Sequence, residues 1–304
     1  MKTLNIIGAG RVGRSLAHLW HKQGVFAIQD VLTRSQTSAD EAVQFIGAGR
    51  AVVEMGEMRE ADIWMLAVPD SQISTVASLL AKYAPKKEIK TDAAGVLYVY
   101  SAIIFHCSGA LSSHQLLHLK AVGWQTASAH CLLSFSAPSS AVTQFPDTPC
   151  ALEGDVSAKQ TLKPAFEAIG ANCFDIAEKD KILYHAAAVF ATNFLPVLQF
   201  VAADLWRNSG MPESMIATLN ASLLQKAVQN INIQGAAKAL TGPAARGDFE
   251  LVALQGKAVA DWNAQAGVAY AALSQLASQI AKDGTIQRTI ENNIQNKPKK
   301  EKRT

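Results

Sequence analysis

The sequence predicts an α/β domain built on a doubly wound parallel sheet, followed by an all-helical domain. Three observations lead there. The chain opens as a short apolar strand running into a glycine turn and then a helix. Strand-like and helix-like runs alternate up to about residue 155. From about residue 178, β-branched runs give way to alanine-rich helical stretches.

Residues 3–7 form the apolar strand, Gly8-Ala9-Gly10-Arg11-Val12-Gly13 the turn, and residues 14–20 the start of the helix. Gly8 permits the tight turn, Gly10 lets a pyrophosphate approach bare backbone, and Gly13 allows close packing of helix on strand. The helix presents free N–H groups and a positive dipole end to the phosphates. The pattern predicts a dinucleotide held by residues 8–13.

The second strand, 26–32, indicates which dinucleotide. A site that prefers NAD places an acid at this strand's tip to accept from the ribose 2′-hydroxyl. Here the tip is Thr33, Arg34 and Ser35, a cation and two hydroxyls suited to a 2′-phosphate, while Asp30 lies inside the strand. NADP(H) is therefore expected over NAD(H).

Further helices or strands are expected at 39–46, 51–54, 62–68, 102–107 and 124–129, with strands 150–152 and 173–176 completing the sheet around a helix at 156–169. Asp70 or Ser71 is placed to cap the helix after Pro69. Residues 85–100 form a mixed connection without an assigned element. Beyond 178, helices are expected at 181–207, 212–230, 248–263 and 267–282, with Pro196 kinking the first. The domains are thus 1–155, a connecting helix and strand at 156–177, a helical substrate or dimerisation domain at 178–288, and a basic tail at 289–304.

Of the 304 residues, 49% are hydrophobic and 17% charged, the balance of a soluble globular protein. The net charge of +3 is concentrated in the last eight residues, which carry +4 and leave the rest near −1. No basic nucleic-acid surface is indicated, and the tail is expected to be solvated and disordered. Cys107, Cys131, Cys150 and Cys173 show no metal or disulfide spacing, so no metal is expected. The chain enters its first strand without a basic-then-apolar run, so no signal segment is expected. No uninterrupted apolar window long enough to span a bilayer is found, so no membrane partner is expected and the cytoplasm is the expected compartment.

In doubly wound sheets ligands lie beyond the carboxyl ends of the strands. Ala67, Val68 and Pro69 should border the nicotinamide, together with Ser108. Ser108 and Gly109 form a turn that a substrate can approach, and His106 and His130 sit at strand ends where binding or acid–base work is done. Lys181 and His185 share one helix face, with Thr192 returning to it and Asn193 near it. A lysine there can polarise a carbonyl or donate a proton during hydride transfer. The loop at 239–248 contributes Thr241 and Arg246, a bidentate anion site, with Asp248 capping the next helix.

Ile6-Ile7-Gly8-Ala9-Gly10-Arg11-Val12-Gly13, His106-Cys107-Ser108-Gly109-Ala110-Leu111, Tyr184-His185-Ala186-Ala187-Ala188 through Asn193, and Leu240-Thr241-Gly242-Pro243 with Arg246-Gly247-Asp248 together carry a resemblance. It is to the uncharacterised bacterial proteins that pair a Rossmann-like NADP-binding domain with a C-terminal helical domain of unknown function. More distantly the chain resembles pyrroline-5-carboxylate reductase, ketopantoate reductase, prephenate dehydrogenase and the 6-phosphogluconate dehydrogenases. The resemblance implies a homodimer formed through a helical domain like the C-terminal one of 6-phosphogluconate dehydrogenase, with the site in an interdomain cleft. In the β-hydroxyacid dehydrogenases a lysine on the first helix of the second domain is followed one turn later by asparagine. The lysine position falls on Lys181, and His185 stands where the asparagine would.

Taken together, an NADP(H)-dependent oxidoreductase is expected, acting on a small anionic carbonyl, hydroxyl or imine substrate. Lys181 and His185 are its expected catalytic pair, and Ser108, Gly109, His130, Asn193, Thr241 and Arg246 its substrate contacts. The alternative is a protein that binds or senses NADP(H) without turnover.

Overall fold

The computed structural model describes residues 1–84, 88–91 and 97–288. The disorder expected of the 289–304 tail falls outside the described residues. The chain divides into two compact units, Met1–Ala191 and Thr192–Thr304.

The first unit opens with β1 (Lys2–Ile7), α1 (Arg11–Lys22), β2 (Phe26–Leu32), α2 (Gln36–Ile46), β3 (Arg50–Val52), β4 (Ile63–Leu66) and α3 (Ile73–Leu80). A hairpin pairs β5 (Glu88–Thr91) with β6 (Leu97–Tyr100), within the stretch to which the sequence assigned no element. Then come β7 (Ile103–His106), α4 (Leu117–Ala121), β8 (Gln125–Cys131), α5 (Pro138–Gln144), β9 (Pro149–Gly154), α6 (Val156–Glu167), β10 (Asn172–Asp175) and α7 (Lys181–Ala188). The main sheet runs β10-β9-β8-β7-β4-β1-β2-β3. Its order reverses at β1, beside β4, the switch point where a crevice opens beyond the strand ends.

Strand alternation sorts side chains to two cores. Leu4, Ile6, Ile63, Met65, Ile103 and Phe105 join α1, α2 and α6 on one face; Ile7, Trp64, Leu66 and Ile104 join α3 and α4 on the other. Trp20 anchors the first face, edge-on to Phe26 and Phe166 at centroid distances of 5.3 and 5.0 Å, with its indole N–H donating to the Ala165 carbonyl.

The sheet departs from the expected parallel pattern at one pair. β9 runs antiparallel to β8, with Ser128 opposite Glu153 and Cys131 opposite Cys150. The connection from β8 to β9 passes through the short α5 without the full crossover that a parallel pair needs.

The second unit is helical: α8 (Phe194–Asn208), α9 (Glu213–Gln234), α10 (Ala236–Ala239), α11 (Pro243–Arg246), α12 (Phe249–Trp262) and α13 (Ala264–Asp283). Asp248 and Asn263 cap α12 and α13 through the N–H groups of Leu251 and Ala266. The irregularity expected at Pro196 lies just before it, as a wider π-helical turn at Val189–Asn193. Proline cannot donate to the carbonyl four residues back, and the preceding turn absorbs the mismatch.

Two expectations are corrected here. Neither Asp70 nor Ser71 caps α3; the Asp70 carboxylate instead accepts from the Ser108 hydroxyl at 2.7 Å. The helical stretch Glu178–Asn208 is long and apolar enough to cross a membrane by length and composition, its most apolar 18-residue window having mean hydropathy 1.7. Isolated polar residues such as Asn193 and Gln199 interrupt the apolar runs, but the mean stays high despite them. In the second unit, large apolar side chains stand exposed, Phe200 by 75%, Leu254 by 68% and Val268 by 72%.

Candidate functional site

The glycine turn lies at the carboxyl end of β1, beside that of β4. Gly8 has φ +82°, and a Cβ there would stand 2.7 Å from the Ala67 carbonyl oxygen and the Val68 side chain. A Cβ on Gly13 would meet the Gly8 oxygen at 2.6 Å and Ala67 Cβ at 2.9 Å, so α1 packs on β4 only because both are bare. Above Gly10 nothing lies within 4 Å. The result is an open cradle of backbone N–H groups at the start of α1, with Ala9, Arg11 and Val12 in the same turn, matched to a pyrophosphate. Arg14 braces it, its Nε donating to the Ala9 carbonyl at 2.8 Å.

Beyond β2, Thr33 is half-buried and Arg34 and Ser35 are exposed. Ser35 caps α2 through the Ser38 N–H, and the Arg34 guanidinium makes no hydrogen bond among the described residues. Asp30 is committed elsewhere: fully buried, it pairs with Arg59 at 2.7 Å and Arg50 at 2.9 Å and accepts the Arg59 backbone N–H. Burial pushes its carboxyl up, but these hydrogen bonds outweigh burial and hold it below the usual range. No acid stands at the tip of β2.

A second cluster sits beyond β4, β7 and β8. Ala67, Val68 and Pro69 lead to Asp70, which holds the Ser108 hydroxyl, and Ser108 Oγ accepts the Leu111 N–H at 3.0 Å. His106 shapes the same loop. The Ser108 N–H donates to its Nδ1, so its proton is on Nε2 and is donated to the Ser112 carbonyl at 2.9 Å. Burial holds His106 uncharged, down at about 4.

The alternation of β8 was legible: Thr126, Ser128 and His130 face one way, while Ala127, Ala129 and Cys131 enter the core. The polar side of this strand meets α7. Lys181, completely buried, donates from Nζ to Ser128 Oγ at 2.8 Å and to the Ser108 carbonyl at 3.2 Å. The Ser128 hydroxyl donates to Glu153 at 2.9 Å, and Glu153 also accepts from Ser113 N–H and Oγ at 2.7 Å. Burial pulls Lys181 below the usual lysine range, against the attraction of Glu153 and Asp70. Lys181 thus ties loop, strand and helix together, with two of the three ammonium donors spent on protein acceptors.

One turn on, Tyr184 and His185 close over the loop. Tyr184 OH lies 2.9 Å from His130 Nδ1, and the two rings stand at 90°. Phe174 packs on the other side of the tyrosine at 6.1 Å. The His130 and His185 rings are 5.6 Å apart. Gly109 lies between them: a Cβ there would come within 2.4 Å of His185 Cδ2 and 2.7 Å of His130 Cε1. Burial, with His185 and Lys181 nearby, lowers His130 to about 4, so at neutral pH it is a polar group without charge.

Tyr184, Ser128 and Glu153 were missed as members of the cluster. Tyr184 was within reach, since it neighbours His185; Ser128 and Glu153 depend on the reversal of β9. Asn193, Thr241 and Arg246 lie in the second unit, all exposed, and Asn193 Oδ1 accepts from the Thr192 hydroxyl at 2.8 Å.

A bare glycine turn at the switch point of a doubly wound sheet defines a Rossmann-like fold with a cradle suited to a dinucleotide. Two family models match the chain: NADP oxidoreductase, coenzyme F420-dependent, over residues 3–94, and the domain of unknown function DUF2520 over 148–277. The two matches follow one another along the chain in that order. Protein TM1727 from Thermotoga maritima is similar at 26% identity, with 93% of this chain and 99% of that one covered and a TM-score of 0.69. The candidate NADP oxidoreductase BF3122 from Bacteroides fragilis matches at 18% identity, covering 91% and 98% of the two chains with a TM-score of 0.70. Pyrroline carboxylate reductase from Plasmodium falciparum, solved with NADP bound, matches at 13% over 91% and 98%, with a TM-score of 0.54. The latter two likenesses are of fold. No curated protein matches the chain.

Proposed function

We propose that this protein is an NADP(H)-dependent oxidoreductase that moves a hydride to or from a small carbonyl, hydroxyl or imine compound. The observation that carries this reading is the juxtaposition, at one edge of the sheet, of the glycine cradle with the Ser108-Gly109-His130-Tyr184-His185 cluster. When bound, the nicotinamide supplies or accepts the hydride. The chain's own residues bind and orient: residues 8–13 take the pyrophosphate, and Ala67, Val68, Pro69 and Ser108 border the nicotinamide.

Arg34, with Thr33 and Ser35, would take the 2′-phosphate, which favours NADP(H) over NAD(H). His130 and His185 would face the substrate's reacting group, while Lys181 holds the loop that carries Ser108. The exposed apolar surface of the second unit, including a groove of about 850 Å³ lined by Phe249, Val252, Val268 and Tyr270, supports pairing with a second copy of the chain. Four unpaired thiols suit a reducing, cytoplasmic setting.

Titration with NADPH and NADH, followed by a turnover screen of small oxo-acids and cyclic imines, tests the reading. Tighter NADPH binding that weakens about tenfold or more in Arg34→Ala supports it. Failure to bind either nucleotide overturns it, and binding without turnover of any compound leaves a nucleotide-holding protein in its place. Light scattering at micromolar concentration tests the homodimer; a monomer refutes it.

A further inference from the structure

We propose that Tyr184 fixes His130 in the tautomer that carries its proton on Nε2, making His130 an uncharged hydrogen-bond donor to the ligand's oxygen or imine nitrogen. Tyr184 is thus a positioning residue, and the inference rests on the reading above only for what the ligand is.

The two histidines at adjacent strand ends differ in what they leave free. His106 spends both ring nitrogens on its own loop, at Ser108 N and the Ser112 carbonyl. His130 spends only one. Its Nδ1 meets Tyr184 OH at 2.9 Å, and its Nε2 makes no hydrogen bond among the described residues. That edge of the ring faces Gly109, where a Cβ would stand 2.8 Å from Nε2. A bare backbone position is what lets this edge remain uncovered by a side chain.

Direction follows from the chemistry of the two groups. A phenol is a good donor and a weak acceptor, and burial raises Tyr184 well above its ordinary value, so the hydroxyl keeps its proton. A neutral imidazole has one acceptor and one donor nitrogen. With Tyr184 donating to Nδ1, the ring proton must be on Nε2. The ionisable groups facing His130 are His185, Lys181 and Asp70; the first two disfavour a positive charge on it and Asp70 favours one. Phe174 at 6.1 Å and the perpendicular stacking of Tyr184 on His130 hold the hydroxyl in line. An uncharged donor polarises a carbonyl or imine without giving up its proton, so the proton for the product must come from elsewhere, His185 or solvent.

Nitrogen-15 NMR of the histidine side chains in the full chain tests this, with His130 assigned by its loss in His130→Gln. The expected wild-type spectrum shows His130 neutral between pH 5.5 and 8, proton on Nε2, and Nδ1 at the position of a hydrogen-bonded lone pair. In Tyr184→Phe the minor tautomer should grow about threefold or more and Nδ1 should move to the position of a free lone pair. A wild-type proton on Nδ1, or an unchanged His130 spectrum in Tyr184→Phe, overturns the inference. Should Tyr184→Phe not fold, incorporation of fluorinated tyrosine replaces it: the stronger donor must shift Nδ1, and no shift overturns the inference. None of these readouts depends on nucleotide binding or turnover, so the inference and the proposed function can fail separately.

Discussion

Lys181 Nζ and Ser128 Oγ stand 2.8 Å apart, joining α7 to β8 through a hydroxyl that accepts from the lysine and donates to Glu153. The three side chains are buried, so each depends on the others for solvation. Ser128→Ala removes the bridge and leaves two buried charged groups short of a partner. A loss of about 2 kcal/mol is expected, seen as a lower midpoint in denaturant. An unchanged midpoint would show that the bridge does not hold the two elements together.

Asp30 provides a second test, because it is the acid that a 2′-hydroxyl reading would have chosen. It is spent on Arg50 and Arg59, whose half-exposed guanidinium groups can return to water when it is lost. Asp30→Asn should cost about 1–3 kcal/mol of stability and leave the NADPH-to-NADH affinity ratio unchanged. Its lowered pKa means that its contribution is complete above the unfolded value of 3.8 and disappears as pH falls through the folded one. A changed cofactor ratio would place Asp30 at the ribose after all.

His106 sets an acid limit. Folded, it protonates at about 4, against 6.5 for the ordinary group. The unfolded chain therefore binds more protons between these values, and stability falls as pH drops from 6.5 towards 4, by up to roughly 3 kcal/mol from this residue. Urea melts at pH 7 and pH 4.5 measure the loss. His106→Asn, which keeps hydrogen-bonding capacity without titrating, should reduce the difference by about half, since His130, also lowered to about 4, contributes its own share; an equally steep loss would assign the pH dependence to other groups.

Gly109→Ala tests the cluster directly. The new methyl cannot fit beside His185 and His130 without moving both rings, since its nearest contacts would be 2.4 and 2.7 Å. Affinity for NADPH should stay within about threefold, while turnover of any substrate found falls by a factor of about 100 or more. Equal losses in both would mean that the whole loop had moved.

Much of the fold was legible because it rests on short-range signals. The glycine turn, the apolar runs of β1 and β4, the alternation in β8, and the break in character before α7 are written in neighbouring residues. The direction of β9 was not, because its residues read the same either way and only the length of the connection decides. The burial of Lys181 was hidden for a related reason. Helical spacing put it on a face with His185, but what that face meets depends on Ser128 and Glu153, brought together by strand pairing. Tyr184 was passed over because aromatic residues on alanine-rich helices usually serve packing; its hydroxyl reaching His130 is a tertiary fact.

The distance between rungs on α7 and β8 makes the site a vernier. Four residues of helix climb about 6 Å, and two residues of strand advance by nearly the same length. Lys181 can therefore meet Ser128 while His185 and Tyr184 arrive at His130. One residue added to the helix between 181 and 184 would rotate everything after it by about 100° and leave the first rung engaged with the second turned away. Changes in chain length within this one helical turn are therefore closed to the protein, whereas exchanges of side chain at its second rung remain open.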